Sequence, residues 1–374
     1  MATPVKKFRV LIVDDSLFMR KALEKIFNKD EQLQVVGHAR DGREAVSLAE
    51  SLKPDVITMD LNMPHVDGLQ ATAEIMRANP RPIVIVSSDS KDGAASTLRA
   101  LELGAIDFIG KPSSGIDLDM QSINEDLLRK VRMAAKVRVV RTAARNPNAA
   151  HSAGEPRVPV APLAAPRPAA ISGSVQKCPV VVLAASTGGP ATIMRIAPSF
   201  TPDFPAAIIL VLHMPAAFTR QYALQLVEFT DIRVKEAEAN EFLEPRTIYI
   251  CPGDKHLQIS SSGRIQLDSS RGRVNGYLPN IDITLESVAA FAGSSSVAGI
   301  LTGMGSDGTN GAKAIRQAGG FVLAQDEASC VIFGMPAEAI KAGAVNQVLP
   351  VEEIYSAIER QVVGLVGPIP AGVR

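Results

Sequence analysis

One rhythm constrains this chain more than anything else, and it occurs twice. Short apolar runs alternate with segments of helical periodicity, and an Ala- and Pro-rich stretch separates the two series. In the first series FRVLIV, VVGHA, DVITMD, PIVIVSS and AIDFIG read as buried strands. Between them LFMRKALEKIF puts Phe18, Ala22, Leu23, Ile26 and Phe27 on one helical face, and GREAVSLAESL and GAASTLRALELG repeat the pattern. Strands that alternate with helices form a parallel sheet covered on both faces, so they are apolar throughout rather than at every second residue. From Cys178 onward PVVVLAA, AAIILVL, TIYICPG, SVAGILT and FVLAQD predict strands. In the same half ATIMRIAPSF, AFTRQYALQLVEF, IDITLESVAAFA, GAKAIRQAG and VEEIYSAIERQVV predict helices. The expected fold class is α/β, with two doubly wound parallel-sheet domains at residues 1–141 and 178–370. Residues 142–177, where repeated Pro removes backbone donors and sustained periodicity is lost, are expected to be a semi-rigid linker.

Composition excludes several functions. Lys and Arg balance Asp and Glu at 39 each, so no global field draws the chain to nucleic acid or anionic lipid. Aromatics are 4% with no Trp, which argues against base-stacking platforms. Cys178, Cys251 and Cys330 are odd in number and lack Cys-x-x-Cys spacing, so they read as small buried hydrophobes rather than a disulfide framework or zinc site. No apolar run is long enough for a signal peptide or a membrane span, and a cytoplasmic location is expected.

The chemistry-bearing residues of the first half sit at predicted strand ends. Asp14 and Asp15 follow the first strand, Asp60 the third, Ser87 and Ser88 the fourth, and Lys111 the fifth. In a parallel sheet these ends share one edge, where ligands bind. Clustered carboxylates suit Mg²⁺, which would neutralise an incoming phosphoryl group while Asp60 attacks it and Lys111 pairs with the product. Any one of these Asp residues could be an ordinary helix cap, but the combination in this order is more telling. VLIVDDS, MDLNMPHVDG, IVIVSS and GAIDFIGKP together resemble a response-regulator receiver domain. That resemblance implies a phosphoacceptor at Asp60 and metal ligation by Asp15, Asp60, Asp14 through water and the Asn62 carbonyl. It also implies a switch hydroxyl at Ser87, an aromatic switch at Phe108, a functional lysine at Lys111, and a sensor histidine kinase as phosphoryl donor.

In the second half Ser186, His213 and Asp307 also follow predicted strands and are expected to converge on one edge. A serine becomes a competent nucleophile once a histidine takes its proton, and a carboxylate fixes the histidine's tautomer. Each has another reading. Ser-Thr-Gly-Gly could be a phosphate cradle, His213 a structural histidine, and Asp307 a cap for the next helix. The Ser, His, Asp order and the lack of G-x-S-x-G disfavour the α/β-hydrolases. AASTGGP, LHMPAAFT, YICPGDKHL and LTGMGSDGTNGAKAI resemble the catalytic domain of the chemotaxis protein-glutamate methylesterase/protein-glutamine glutaminase (CheB) family.

This second resemblance implies Ser186 as nucleophile, His213 as base, Asp307 as orienting acid, a main-chain oxyanion donor at Met304 and an assisting Thr187. His256 is expected on a loop near the site, as a functional residue or as a surface or structural histidine. The substrate implied is a chemoreceptor, with no cofactor for ester hydrolysis. The unphosphorylated receiver is implied to cover the active-site face, and phosphorylation to loosen it through Ser87 and Phe108. Two departures stand out. A stretch often written His-Arg-Pro-Ser-Val-Asp reads Tyr277-Leu278-Pro279-Asn280-Ile281-Asp282, which could face the receptor or the other domain, and the linker is long for the family. A receiver-gated esterase or deamidase with another protein substrate, and a non-catalytic receptor-docking module, remain as alternatives.

Overall fold

The computed structural model describes residues 7–87, 91–111, 120–137 and 178–366. The expected linker, like Ser88, lies outside the described residues. In the first domain β1 (Phe8–Val13), β2 (Leu33–Ala39), β3 (Val56–Met59), β4 (Ile83–Ser87) and β5 (Asp107–Gly110) form a parallel sheet in the order β2-β1-β3-β4-β5. Helices α1 (Leu17–Phe27), α2 (Gly42–Leu52), α3 (Gly68–Ala78), α4 (Lys91–Glu102) and α5 (Met120–Ala134) connect the strands or follow the last. Three of the helix starts are set by side chains: Ser16, Asp41 and Asp67 each accept a hydrogen bond from the N–H three residues on. All four residues of β3 and all five of β4 are buried, as a sheet covered on both faces requires.

The second domain is larger. Strands β6 (Val180–Ala185), β7 (Ala207–Leu212), β8 (Arg233–Glu236) and β9 (Thr247–Ile250) come first, then a hairpin of β10 (His256–Ile259) and β11 (Ile265–Asp268), then β12 (Ser296–Ile300), β13 (Phe321–Gln325) and β14 (Gln347–Leu349). Seven of them make a parallel sheet ordered β14-β13-β12-β6-β7-β9-β8, while β10 and β11 pair antiparallel. The helices are α6 (Gly189–Ile196), α7 (Ala216–Leu226), α8 (Ile281–Ala292), α9 (Thr309–Gln317), α10 (Met335–Lys341) and α11 (Val351–Val366). All six residues of β6 and of β7 are buried, and each Val, Leu or Ile there contributes roughly 1.5–3 kcal/mol of transfer free energy.

The sequence pattern predicts every strand of the first sheet but misses β8, the β10–β11 hairpin and β14 in the second. β8 (RVKE) is a charged edge strand and β14 only three residues long, so neither carries a buried-strand signature. The strand order of each sheet reverses beside its first strand: β1 lies between β2 and β3, and β6 between β12 and β7. Ligands of open α/β sheets bind at such points, beyond the carboxyl ends of the strands.

The domains are packed together. Helix α4 lies on α7 and touches α6, and Phe108 packs on Phe218 with centroids 4.3 Å apart and planes tilted by 37°. Gln225 on α7 donates to Glu102 at the end of α4. Among the described residues no helix is long and apolar enough to cross a membrane.

Candidate functional site

At the first switch point Asp14, Asp15 and Asp60 each present an oxygen within 4.8 Å of the others. Lys111 Nζ reaches in from beyond β5, 2.8 Å from Asp60 Oδ2 and 3.0 Å from Asp14 Oδ2. Burial, opposed by Lys111 and aided by the charge of Asp14, leaves the Asp60 carboxyl above the usual carboxylate range. Lys111 is also raised: burial opposes its charge, but its hydrogen bonds and charge pairing with Asp60 and Asp14 outweigh this. Three clustered carboxylates and one ammonium fit a hard divalent cation, since oxygen ligands and surplus negative charge are what Mg²⁺ requires. Asn62 follows in the β3–α3 loop, with its N–H 3.4 Å from Asp60 Oδ1. Ser87 ends β4 and donates to the Gly93 carbonyl at 3.3 Å. Phe108 is buried in the middle of β5, its ring beneath the Lys130 ammonium at 5.4 Å.

At the second switch point the ladder runs past the strand ends. Ser186 N–H donates to the Thr302 carbonyl at 3.0 Å and His213 N–H to the Ala185 carbonyl at 3.3 Å, so β6, β7 and β12 deliver these segments side by side. Gly188 then takes φ +78°, the left-handed turn that swings the chain from β6 into α6. At Gly303 a Cβ would stand 2.8 Å from Ser186 Cβ, so this glycine lets the 303–308 loop close onto the serine.

His213 Nε2 lies 2.9 Å from Asp307 Oδ2. The Asp307 carboxylate also accepts from the N–H groups of Ile281 (2.8 Å), Asp282 (3.1 Å) and Gly308 (3.1 Å). Asp307 therefore does not cap α9, the alternative open in the sequence; it sits at the free N–H groups of α8 and faces the histidine. With Nε2 bound to the carboxylate, Nδ1 of His213 is buried and carries no hydrogen bond. Nδ1 is thus the ring nitrogen without a partner; no hydrogen bond joins it to the Ser186 hydroxyl, although both residues follow strands that end on the same sheet edge.

One expectation is corrected. His256 is not on a loop: it opens β10 and is fully buried. Its Nε2 binds the Gly272 carbonyl at 2.8 Å and its Nδ1 accepts the Asn280 N–H at 3.0 Å, so it fastens the 272–280 segment as a structural histidine. The hydroxyl of Thr187, the residue expected to assist, donates to Asp107 Oδ2, across the domain boundary, at 2.6 Å. Of the cysteines, Cys251 is buried as expected while Cys178 and Cys330 are partly buried. Burial, reinforced by the charge of Asp326, pushes the Cys330 thiol up to about 12.

Sequence reasoning passed over Asp107. It accepts from Thr187 and lies 3.1 Å from Lys130 Nζ, joining the residue after Ser186 to α5 of the first domain. The signal was present: an acid inside an apolar strand has to find a partner. Tyr277 was noticed only as a departure. Its ring stacks on His213, centroids 4.3 Å apart and planes 15° apart.

A carboxylate cluster at one switch point and Ser186, His213 and Asp307 at the other, on two packed parallel-sheet domains, fit a response regulator with a hydrolase output domain. Comparison with known proteins agrees. The response regulator receiver domain matches residues 10–122 and the CheB methylesterase model matches residues 181–358. The protein-glutamate methylesterase/protein-glutamine glutaminase of Symbiobacterium thermophilum is 41% identical over 96% of this chain and 98% of its own. That of Thermotoga maritima is 42% identical over 92% and 96%. The solved catalytic domain of Thermotoga maritima CheB is 40% identical, with a TM-score of 0.48, and covers 49% of this chain and 98% of its own. The chain belongs to the CheB family of protein-glutamate methylesterases/protein-glutamine glutaminases.

Proposed function

We propose that this protein hydrolyses glutamyl methyl esters, and deamidates glutamine side chains, on chemoreceptors, and that phosphorylation of its receiver turns the activity up. The observation that carries this reading is His213, held through Nε2 by Asp307 while Nδ1 stays buried and unbonded. In that tautomer the proton is on Nε2 and the Nδ1 lone pair is the base. Nδ1 takes the Ser186 proton as Oγ attacks the ester carbonyl. The tetrahedral oxyanion is received by main-chain N–H groups, Met304 among them. Nδ1 returns the proton to the departing methanol, and a water activated the same way hydrolyses the glutamyl-enzyme. With a glutamine side chain the leaving group is ammonia.

Asp60 is the phosphoacceptor in this reading. Asp15, Asp60, Asp14 through water, and the Asn62 carbonyl would hold Mg²⁺, which would supply positive charge against the incoming phosphoryl group. Lys111 orients the phosphoryl oxygens, and the donor is a sensor histidine kinase. The boundaries are a receiver over 1–141, a linker over 142–177 and a catalytic domain over 178–370, with the whole in the cytoplasm.

Ser87 and Phe108 transmit the switch. Phe108 is packed on Phe218, five residues after His213, and Asp107 holds Thr187. A phosphoryl group that draws Ser87 and Phe108 toward Asp60 disturbs this docking and shifts the population to an open form. The test is methanol release from methylated chemoreceptor membranes, wild type against Ser186→Ala, with and without a small phosphoryl donor and Mg²⁺. Release that requires Ser186 and rises with the donor is expected. Equal release from both proteins would sink the assignment.

A further inference from the structure

Asp307 grips His213 at one atom, Nε2. A ring held by a single edge hydrogen bond can still swing about it, and general-base catalysis tolerates little such freedom. What meets the face of the ring is Tyr277, with centroids 4.3 Å apart and planes nearly parallel at 15°. The far end of the same side chain reaches the glycine-rich loop, where a Cβ on Gly305 would lie only 2.3 Å from Tyr277 Oη. The tyrosine thus spans from the base to the loop that presents the Met304 N–H.

The tyrosine is itself fixed from behind. Val274 and Tyr277 exchange backbone hydrogen bonds at 3.0 Å in both directions, and the buried His256 ties both ends of this segment through Gly272 and Asn280. On the receiver side the Arg129 guanidinium stands 6.0 Å from the ring centroid. An aromatic that merely filled a domain boundary would have no reason to lie flat on the imidazole with its backbone closed into a bridge.

We infer that Tyr277 is a positioning residue for the proposed reaction: its ring holds the His213 imidazole in the plane that aims Nδ1 at Ser186. This deepens the proposed mechanism and rests on its Ser186–His213 pair, but not on its substrate. Because the ring does the work, phenylalanine serves in its place and leucine, apolar and of similar bulk but without a flat face, does not.

The test uses the full chain with a phosphoryl donor and Mg²⁺, and measures the rate at which a fluorophosphonate labels Ser186 alongside methanol release from receptor membranes. Tyr277→Leu is expected to slow labelling about tenfold and to lower kcat with little change in KM. Tyr277→Phe is expected to restore most of both. The His213 Cε1–H proton resonance, identified by its loss in His213→Asn, should lie upfield in wild type and in Tyr277→Phe and move downfield in Tyr277→Leu. Labelling of Tyr277→Leu at the wild-type rate, or an unmoved His213 resonance, overturns the inference. Wild-type labelling without methanol release would overturn the chemoreceptor substrate and leave the role of Tyr277 standing. Absence of wild-type labelling would overturn the Ser186–His213 pair and the inference with it.

Discussion

In the receiver the carboxylate that ends β3 is held by a cation: Asp60 has the Lys111 ammonium at 2.8 Å and a second carboxylate, Asp14, beside it. In the second domain the carboxylate after β12 is held mainly by the backbone: Asp307 accepts from three backbone N–H groups and lies 2.9 Å from His213 Nε2. Both sit at the switch point of an open parallel sheet. The difference fits the two roles proposed for these carboxylates. A cluster carrying surplus negative charge suits a site that must admit a divalent cation and then a phosphoryl group. A carboxylate fully engaged by N–H groups suits a residue that orients a histidine and steadies its cation without itself reacting.

Several measurements would break or sharpen this contrast. The largest effect is expected from Ser186→Ala, which should lower methanol release by about three orders of magnitude or more while Asp60 still accepts phosphate from a small donor. Loss of phosphorylation in that variant would mean that the two sites are not separable. Asp307→Asn should cost roughly two to four orders in kcat with the fold intact, because an amide can hold the histidine in the wrong tautomer. An effect below tenfold would demote Asp307 to a tie for α8. Asp60→Asn should abolish donor-dependent stimulation, read as equal methanol release with and without donor and Mg²⁺.

A smaller effect is expected at the boundary between the sites. Asp107→Asn weakens a charge-assisted hydrogen bond to Thr187 worth about 1.5–3 kcal/mol, so release without a donor should rise by roughly tenfold. An unchanged ratio of stimulated to unstimulated rates would show that the Phe108–Phe218 packing alone restrains the enzyme. The smallest effect concerns pH. Burial raises the Asp60 pKa in the folded protein, so its ionised form is disfavoured by folding and costs stability above that pKa. The cost is relieved as pH falls through the folded-state value, and Asp60→Asn removes it. The variant should melt a few degrees above wild type near neutral pH, with the gap closing on acidification. A gap that widens instead would show that losing the Lys111 pairing outweighs relief from burial.

Much of both sites was legible because strand ends in a parallel sheet are a one-dimensional code. Asp14, Asp60, Lys111, Ser186, His213 and Asp307 all follow apolar runs, and every such run ends on the same edge. Thr187 and His256 were not legible in the same way. A hydroxyl next to a nucleophile looks like an assistant until the neighbouring domain is seen to take its hydrogen bond. A histidine in a glycine-containing stretch looks exposed until an antiparallel hairpin buries it.

The order of apolar and helical segments by itself determined two α/β domains, the edge on which each site lies and the residue types that supply the chemistry. Those features follow from local periodicity and from chain order within a parallel sheet. Which side chains meet across the domain boundary was decided only by the tertiary structure. Asp107 finds Thr187 across 80 residues of sequence, Phe108 finds Phe218, and Tyr277 lies on His213. Such contacts depend on the docking of surfaces that no local pattern encodes. They come from packing and electrostatic complementarity between segments far apart in the chain.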